Sequence, residues 1–316
     1  MVKGDGAGPG GAGRGGVARA LALLAKDIKI AHSVFAMPFA ILGACAAWTL
    51  TSGQGRTVAG LAGRLALVVA CMILARSWAM LFNRLADRKI DAKNARTKGR
   101  VIASGAVSRG AGWAVAIGCA AGFVGVCALF KVFFANPWPL YLSVPVLAWI
   151  GFYSLTKRFT AWCHVFLGGA LAASPVAAGI AVDPVSVVHV PMLWWIAGFV
   201  LLWVAGFDVI YALQDEEFDR SAGLNSMPAK VGAERAVWIS RVMHAGAVVC
   251  LLAAWSSVSR LGPIFGVGVG LAGLLLVVEQ VILQRRGLKG LDIAFFTVNG
   301  VVSCVLGTLG VVDLFV

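Results

Sequence analysis

The sequence predicts an all-α, polytopic membrane protein with about nine transmembrane helices, and three observations carry that prediction. Hydrophobic residues fill 60% of the 316 positions and charged ones only 13%, with a mean hydropathy of +0.88 that water-soluble domains do not reach. The apolar runs mostly exceed the roughly 20 residues that a helix needs to cross a bilayer core, and they lack the alternation of a barrel strand. Basic residues also fall almost entirely on one side of the membrane once the runs are threaded through it.

Taken in order, residues 1–25 read as a flexible, Gly-rich cytosolic tail with no apolar core of a signal peptide, and residues 26–316 as one transmembrane domain. Spans are expected near 31–50, 60–82, 111–131, 138–155, 161–181, 190–212, 235–256, 262–283 and 291–312. With the N-terminus in the cytosol, only Arg56, Lys131 and Arg260 among the loop cations face outward. That is the positive-inside pattern of a bacterial inner (cytoplasmic) membrane protein, and it makes the net charge of +13 a matter of topology rather than of nucleic-acid binding. The seven cysteines lie singly in apolar runs without a CxxC pair, so they read as small core residues. His32, His164, His189 and His244 show no metal spacing, which leaves zinc and haem readings unsupported.

Chemistry concentrates in two stretches. In RSWAMLFNRLADRKID, Arg76, Asn83 and Asp87 recur at i, i+7 and i+11, within roughly 20° of one helical line, with Asp91 at its edge. In DVIYALQDEEFD, Asp208, Tyr211, Asp215 and Asp219 repeat the arrangement at i, i+3, i+7 and i+11. Threading puts both at cytosolic helix ends. A single DxxxD is usually a solvated face, but carboxylates one turn apart repel unless a cation lies between them, and two matched pairs suggest two halves of one metal site. Mg2+ takes one or two carboxylates and completes its shell with water and phosphate oxygens, so the pattern fits a metal-bridged diphosphate. Arg96, Arg100, Lys157 and Arg158 lie where they could neutralise the remaining charge. The turn YSLTKRFT, with Tyr153 and Lys157, reads equally as an interfacial anchor and as a phosphate clamp. Arg76 lies roughly 10 Å deeper than Asn83 and Asp208 the same distance deeper than Asp215, either to neutralise one another or to flank a second substrate.

These motifs resemble those of the UbiA superfamily of intramembrane aromatic prenyltransferases. NRLADRKID is similar to its NxxxDxxxD motif and DVIYALQDEEFD to its second Asp-rich motif, with further likeness in RTKGRVIASG, YSLTKRFT and IAHSVFAMPFAILG. FDVIYALQDEEFDRSAGLNSMPAKVG resembles most the branch of 4-hydroxybenzoate polyprenyltransferases and MqnP-like menaquinone enzymes acting on 1,4-dihydroxy-6-naphthoate. The resemblance implies nine helices around a central cavity open sideways to lipid, and transfer of a polyprenyl group from its diphosphate to a hydroxyaromatic acid. It further implies that Asn83, Asp87, Asp91, Asp215 and Asp219 hold Mg2+ and diphosphate, that Arg96, Arg100, Tyr153 and Lys157 bind phosphate oxygens, that Arg76 meets the acceptor's carboxylate, and that Asp208 lies near the reacting carbons. Ile102 departs from the residue many relatives carry in that loop. The competing classes are an ion-coupled transporter, whose acids would gather near the midplane, and family members with other acceptors.

Overall fold

The computed structural model describes residues 14–28, 35–51, 56–291 and 293–316, and within them every regular element is helical. In chain order these are α1 (Arg14–Asp27), α2 (Met37–Leu50), α3 (Val58–Ala86), α4 (Arg88–Asp91), α5 (Arg109–Phe134), α6 (Trp138–Thr156), α7 (Cys163–Val182), α8 (Ser186–His189), α9 (Met192–Tyr211), α10 (Glu216–Ser221), α11 (Met227–Val231), α12 (Ala233–Ser256), α13 (Pro263–Arg286) and α14 (Asn299–Phe315). Eight of the helical segments are long and apolar enough to cross a membrane. The first expected span becomes the shorter apolar helix α2, with its positions 31–34 outside the described residues.

Helix α2, which opens with Pro38 in its first turn, runs through the bundle rather than along its surface. From Phe39 to Ala47 every residue but Ile41 is buried. It packs on α7 and α14, while α7 packs on α6 and α9, α9 on α12, and α3 on α5 and α6. Without a hydrophobic driving force between helices in lipid, close packing depends on small residues. A side chain at Gly43 would meet the Pro175 carbonyl oxygen at 2.2 Å, and one at Gly168 the Leu201 carbonyl oxygen at 2.3 Å. Glycine is therefore required where α7 touches α2 and α9.

The expected tail needs correction. Residues 1–13 lie outside the described residues, but the chain is helical from Arg14, and after Gly16 the Gly-rich composition gives way to good helix formers. Leu24 and Ile28 bury themselves among Leu81, Leu85 and Ile102, so α1 is held by apolar contact beneath the end of α3. Ile102, 1% exposed, anchors the loop after α4 in this cluster.

The two ends of the bundle differ in chemistry. At one, Arg56 pairs with Asp183 at 2.7 Å, Thr51 donates to the same carboxylate, and Asn136 donates to the Ile180 and Ala181 carbonyls. The other end gathers the acidic segments. Between them α3, α5, α6, α7 and α9 enclose a cavity of about 700 Å3 with a mainly apolar wall, in which Arg76 and Tyr153 are the notable polar groups. The opposite half of the bundle is stitched by buried polar contacts instead. There Trp203 donates to Asn299 at 2.6 Å, and Asn299 donates to Glu279 at 3.1 Å.

Candidate active site

Both acidic segments interrupt their helices at the acid itself. Helix α3 stops at Ala86, and Asp87 turns through φ −91° and ψ 5° before α4 begins; α9 tightens into a 3-10 turn over Ala212–Asp215, and Asp215 turns through φ −108° and ψ 6° before α10. This sparsely populated bridge conformation is frequent among active-site residues. It also corrects an expectation, since Asp91 lies past the break and no single straight helix carries all of Asn83, Asp87 and Asp91. The physical reason is visible in the partners, because each turning acid meets a cation from another element.

Arg96, in the loop after α4, grips Asp215 with both Nε, at 2.9 Å, and Nη2, while Asn94 donates to Asp215 Oδ1 at 2.9 Å. Such two-point guanidinium–carboxylate contacts are among the strongest hydrogen-bonded pairs. Arg100 meets Asp91 Oδ1 at 2.7 Å. The turn after α6 then reaches both segments at once, Lys157 lying 2.8 Å from Asp219 Oδ1 and the adjacent Arg158 lying 2.7 Å from Asp87 Oδ1. Arg158 also donates to the Ala86 carbonyl, and the Lys157 carbonyl accepts from the Asn225 amide at 2.8 Å. The segments thus face one another across a layer of cations. Tyr211 belongs to the same layer, its ring 5.5 Å from the Arg96 guanidinium carbon and its hydroxyl accepting from Arg96 Nη1 at 3.4 Å.

Behind Asp87, Asn83 donates to its Oδ2 at 3.1 Å, Arg84 donates to Asn83 at 3.0 Å, and Arg84 Nε pairs with Asp27 of α1 at 3.1 Å. Burial pushes the Asp87 carboxyl up to about 6 from its ordinary 3.8; Arg158, Lys157 and Arg100 offset this only in part, and Asp91 adds to it.

Among the described residues no three acidic, histidine or cysteine side chains gather into an all-protein metal cage. The donor set nonetheless suits a hard cation that arrives with phosphate. Both Asp219 oxygens and Asp91 Oδ2 are buried without a hydrogen bond of proper geometry, although Lys157 lies close to the former. Oxygen donors from one or two carboxylates at a time are what Mg2+ takes when substrate phosphates complete its shell.

Tyr153, expected at the phosphate, instead lines the cavity with the deep Arg76, and Asp208 bonds His164, with Nδ1 and Oδ2 2.7 Å apart, rather than pairing with Arg76. Sequence reasoning missed His164, Asn94, Arg84 and Asp27 as partners. Asn94 lies inside the basic loop that the sequence singles out, whereas nothing local to His164 or Asp27 points to contacts 44 and 57 positions away.

A helical bundle with an apolar cavity beneath one polar end, where acids alternate with cations, is the arrangement of an intramembrane enzyme. The chain belongs to the UbiA prenyltransferase family, which matches residues 36–301. Among its relatives, a 4-hydroxybenzoate octaprenyltransferase from Pseudoalteromonas atlantica is 30% identical over 77% of this chain and 82% of that one. A protoheme IX farnesyltransferase from Paramagnetospirillum magneticum is 28% identical over 70% and 76%. An apo UbiA homolog from Aeropyrum pernix K1 is 31% identical with a TM-score of 0.77, covering 90% of this chain and 98% of that one. A UbiA homolog from Archaeoglobus fulgidus, bound to GPP and Mg2+, shares the fold with a TM-score of 0.64 at 19% identity over 94% and 100% of the two chains.

Proposed function

We propose that the protein transfers a polyprenyl group from polyprenyl diphosphate to a carboxylated hydroxyaromatic acceptor, 4-hydroxybenzoate or 1,4-dihydroxy-6-naphthoate, in quinone biosynthesis, and releases diphosphate. One observation carries the reading: Asn94 and Arg96, just past the first acidic segment, hydrogen-bond Asp215 of the second, about 120 positions away, which brings both sets of acids to one polar end above an apolar cavity. The protein works in this reading as a single unit from residue 26 to 316 in the inner membrane, with the acidic end toward the cytosol.

Asn83, Asp87, Asp91, Asp215 and Asp219 would hold Mg2+, which when bound bridges the diphosphate and stabilises the charge that builds on it as it leaves. Arg96, Arg100, Lys157 and Arg158 exchange their present carboxylate partners for phosphate oxygens. Because they are already positioned, they stabilise the leaving group with little reorganisation. The allylic carbon–oxygen bond breaks with its electron pair going to the diphosphate, and a ring carbon of the acceptor forms the new carbon–carbon bond. The apolar cavity keeps water from the allylic cation and accommodates the start of the prenyl chain. Arg76, the cation in the cavity wall, holds the acceptor's carboxylate beside Tyr153.

The test offers purified protein both acceptors with polyprenyl diphosphates of several lengths, with Mg2+ or with a chelator, and reads products by mass spectrometry. A prenylated acid that disappears with the chelator is the expected result. Folded protein that prenylates neither acceptor overturns the assignment.

A further inference from the structure

Helix α7 begins with Cys163 and His164, and the His164 imidazole is almost wholly enclosed, with 3% of its side chain exposed against 24% for its partner Asp208. Two hydrogen bonds fix the ring. Its Nδ1 lies 2.7 Å from Asp208 Oδ2, and its Nε2 lies 3.1 Å from the backbone nitrogen of Met227. Met227 opens α11, so its amide is one of the donors that a helix leaves without an internal acceptor, and the Ser226 side chain does not cap it. A backbone amide can only donate. Nε2 must therefore accept, which leaves Nδ1 as the nitrogen that carries the proton and gives it to Asp208.

We propose that His164 is a positioning residue for Asp208, a neutral imidazole locked by the Met227 amide in its Nδ1–H tautomer so that Asp208 stands as a fixed carboxylate beside the reacting centre. The catalytic part of this inference rests on the prenyl-transfer reading above, with Asp208 in the place near the reacting carbons that the likeness to the UbiA family implies for it. The ring cannot take a proton from Asp208, because Nδ1 already bears one and Nε2 is engaged. The pair is not a relay; Asp208 acts as a stationary negative charge opposite the allylic cation. The ring hydrogen displaced when the new carbon–carbon bond forms leaves as a proton to the departing diphosphate, a stronger base than a hydrogen-bonded carboxylate. Because Met227 follows the second acidic segment, and Asn225 is bonded to the Lys157 carbonyl, the same ring ties the placement of Asp208 to the segment carrying Asp219.

Two substitutions separate the functions of the ring. In His164→Asn the amide NH2 takes the place of Nδ1 and still donates to Asp208, but the Met227 amide loses its acceptor. In His164→Gln the amide oxygen reaches the position of Nε2 and keeps Met227 satisfied, but Asp208 loses its donor. With full-length protein in nanodiscs, the Gln variant should lose at least about tenfold in kcat with the KM for the diphosphate unchanged and thermal stability near wild type, while Asn keeps most of kcat and loses stability. Nitrogen-15 spectra of histidine-labelled protein should show one neutral Nδ1–H ring that disappears in both variants. An Nε2–H or doubly protonated His164 overturns the proposal, as does a Gln variant with wild-type kcat or equal losses of kcat in both variants. If wild-type protein transfers no prenyl group, the functional reading falls, whereas the spectra still decide the tautomer.

Discussion

The two acidic segments share a backbone device and differ in who attends to them. In each an aspartate turns out of its helix through nearly the same angles, at Asp87 and at Asp215. The first segment supplies cations as well as acids: Arg100 returns to Asp91, while Arg96 and Asn94 cross to Asp215. The second supplies mainly acids, and its Asp219, 1% exposed, depends on Lys157 from a third element. The first segment pairs Asp91 with its own Arg100 and borrows Arg158 for Asp87, whereas Asp215 and Asp219 both take their cations from other elements. Acidic halves that look alike in sequence are therefore unequal in how they tolerate damage.

The largest effect should come from the shared device. Asp87→Ala and Asp215→Ala should each abolish prenyl transfer in protein that still inserts and purifies normally; measurable turnover in either would separate that acid from the metal. Arg76→Ala, outside both segments, should raise the acceptor's KM about tenfold or more with a smaller fall in kcat, and initial rates at varied acceptor concentration check this.

The asymmetry itself is tested by the neighbouring cations. Lys157→Met leaves Asp219 buried without a cation and should destabilise the protein by about 1–3 kcal/mol, the large value for a broken buried pair being discounted because Lys157 is partly exposed. Arg158→Met, whose pair is more exposed, should cost no more than about 1 kcal/mol. Thermal unfolding in detergent ranks the two, and equal shifts would erase the distinction between the segments.

The smallest effect is one of pH. Above about 6 the Asp87 carboxyl is already ionised and free to bind a cation, whereas below that value a metal must displace a proton, so Mg2+-dependent diphosphate binding should weaken as pH falls from 7 to 5. Calorimetric titration across that range, with Asp87→Asn flattening the pH dependence of the residual binding, checks the assignment.

The sequence made the helices and the acids legible because both are local signals. Long apolar runs need no partner to be recognised, and Asp87, Asp91, Asp215 and Asp219 announce themselves by spacing. What it concealed were features created by packing. The burial of α2 against α7 and α14, and the contacts of Leu24 and Ile28 with Leu81 and Ile102 in the stretch that is helical from Arg14, arise between elements far apart in sequence. The break at Asp87 could not be seen in a pattern that assumes uniform winding, since the cation that draws the acid aside, Arg158, lies 71 positions downstream. His164 was hidden for the same reason: a lone histidine in an apolar run has no periodicity, and its partners come from α9 and α11.

The cavity wall includes Trp149 and Trp194, which are 39% and 55% exposed. A compartment with so open a wall makes a poor ruler. In the proposed reaction, selection among donors would then fall to the diphosphate end, and isoprene units beyond the first few would be left to the surrounding lipid.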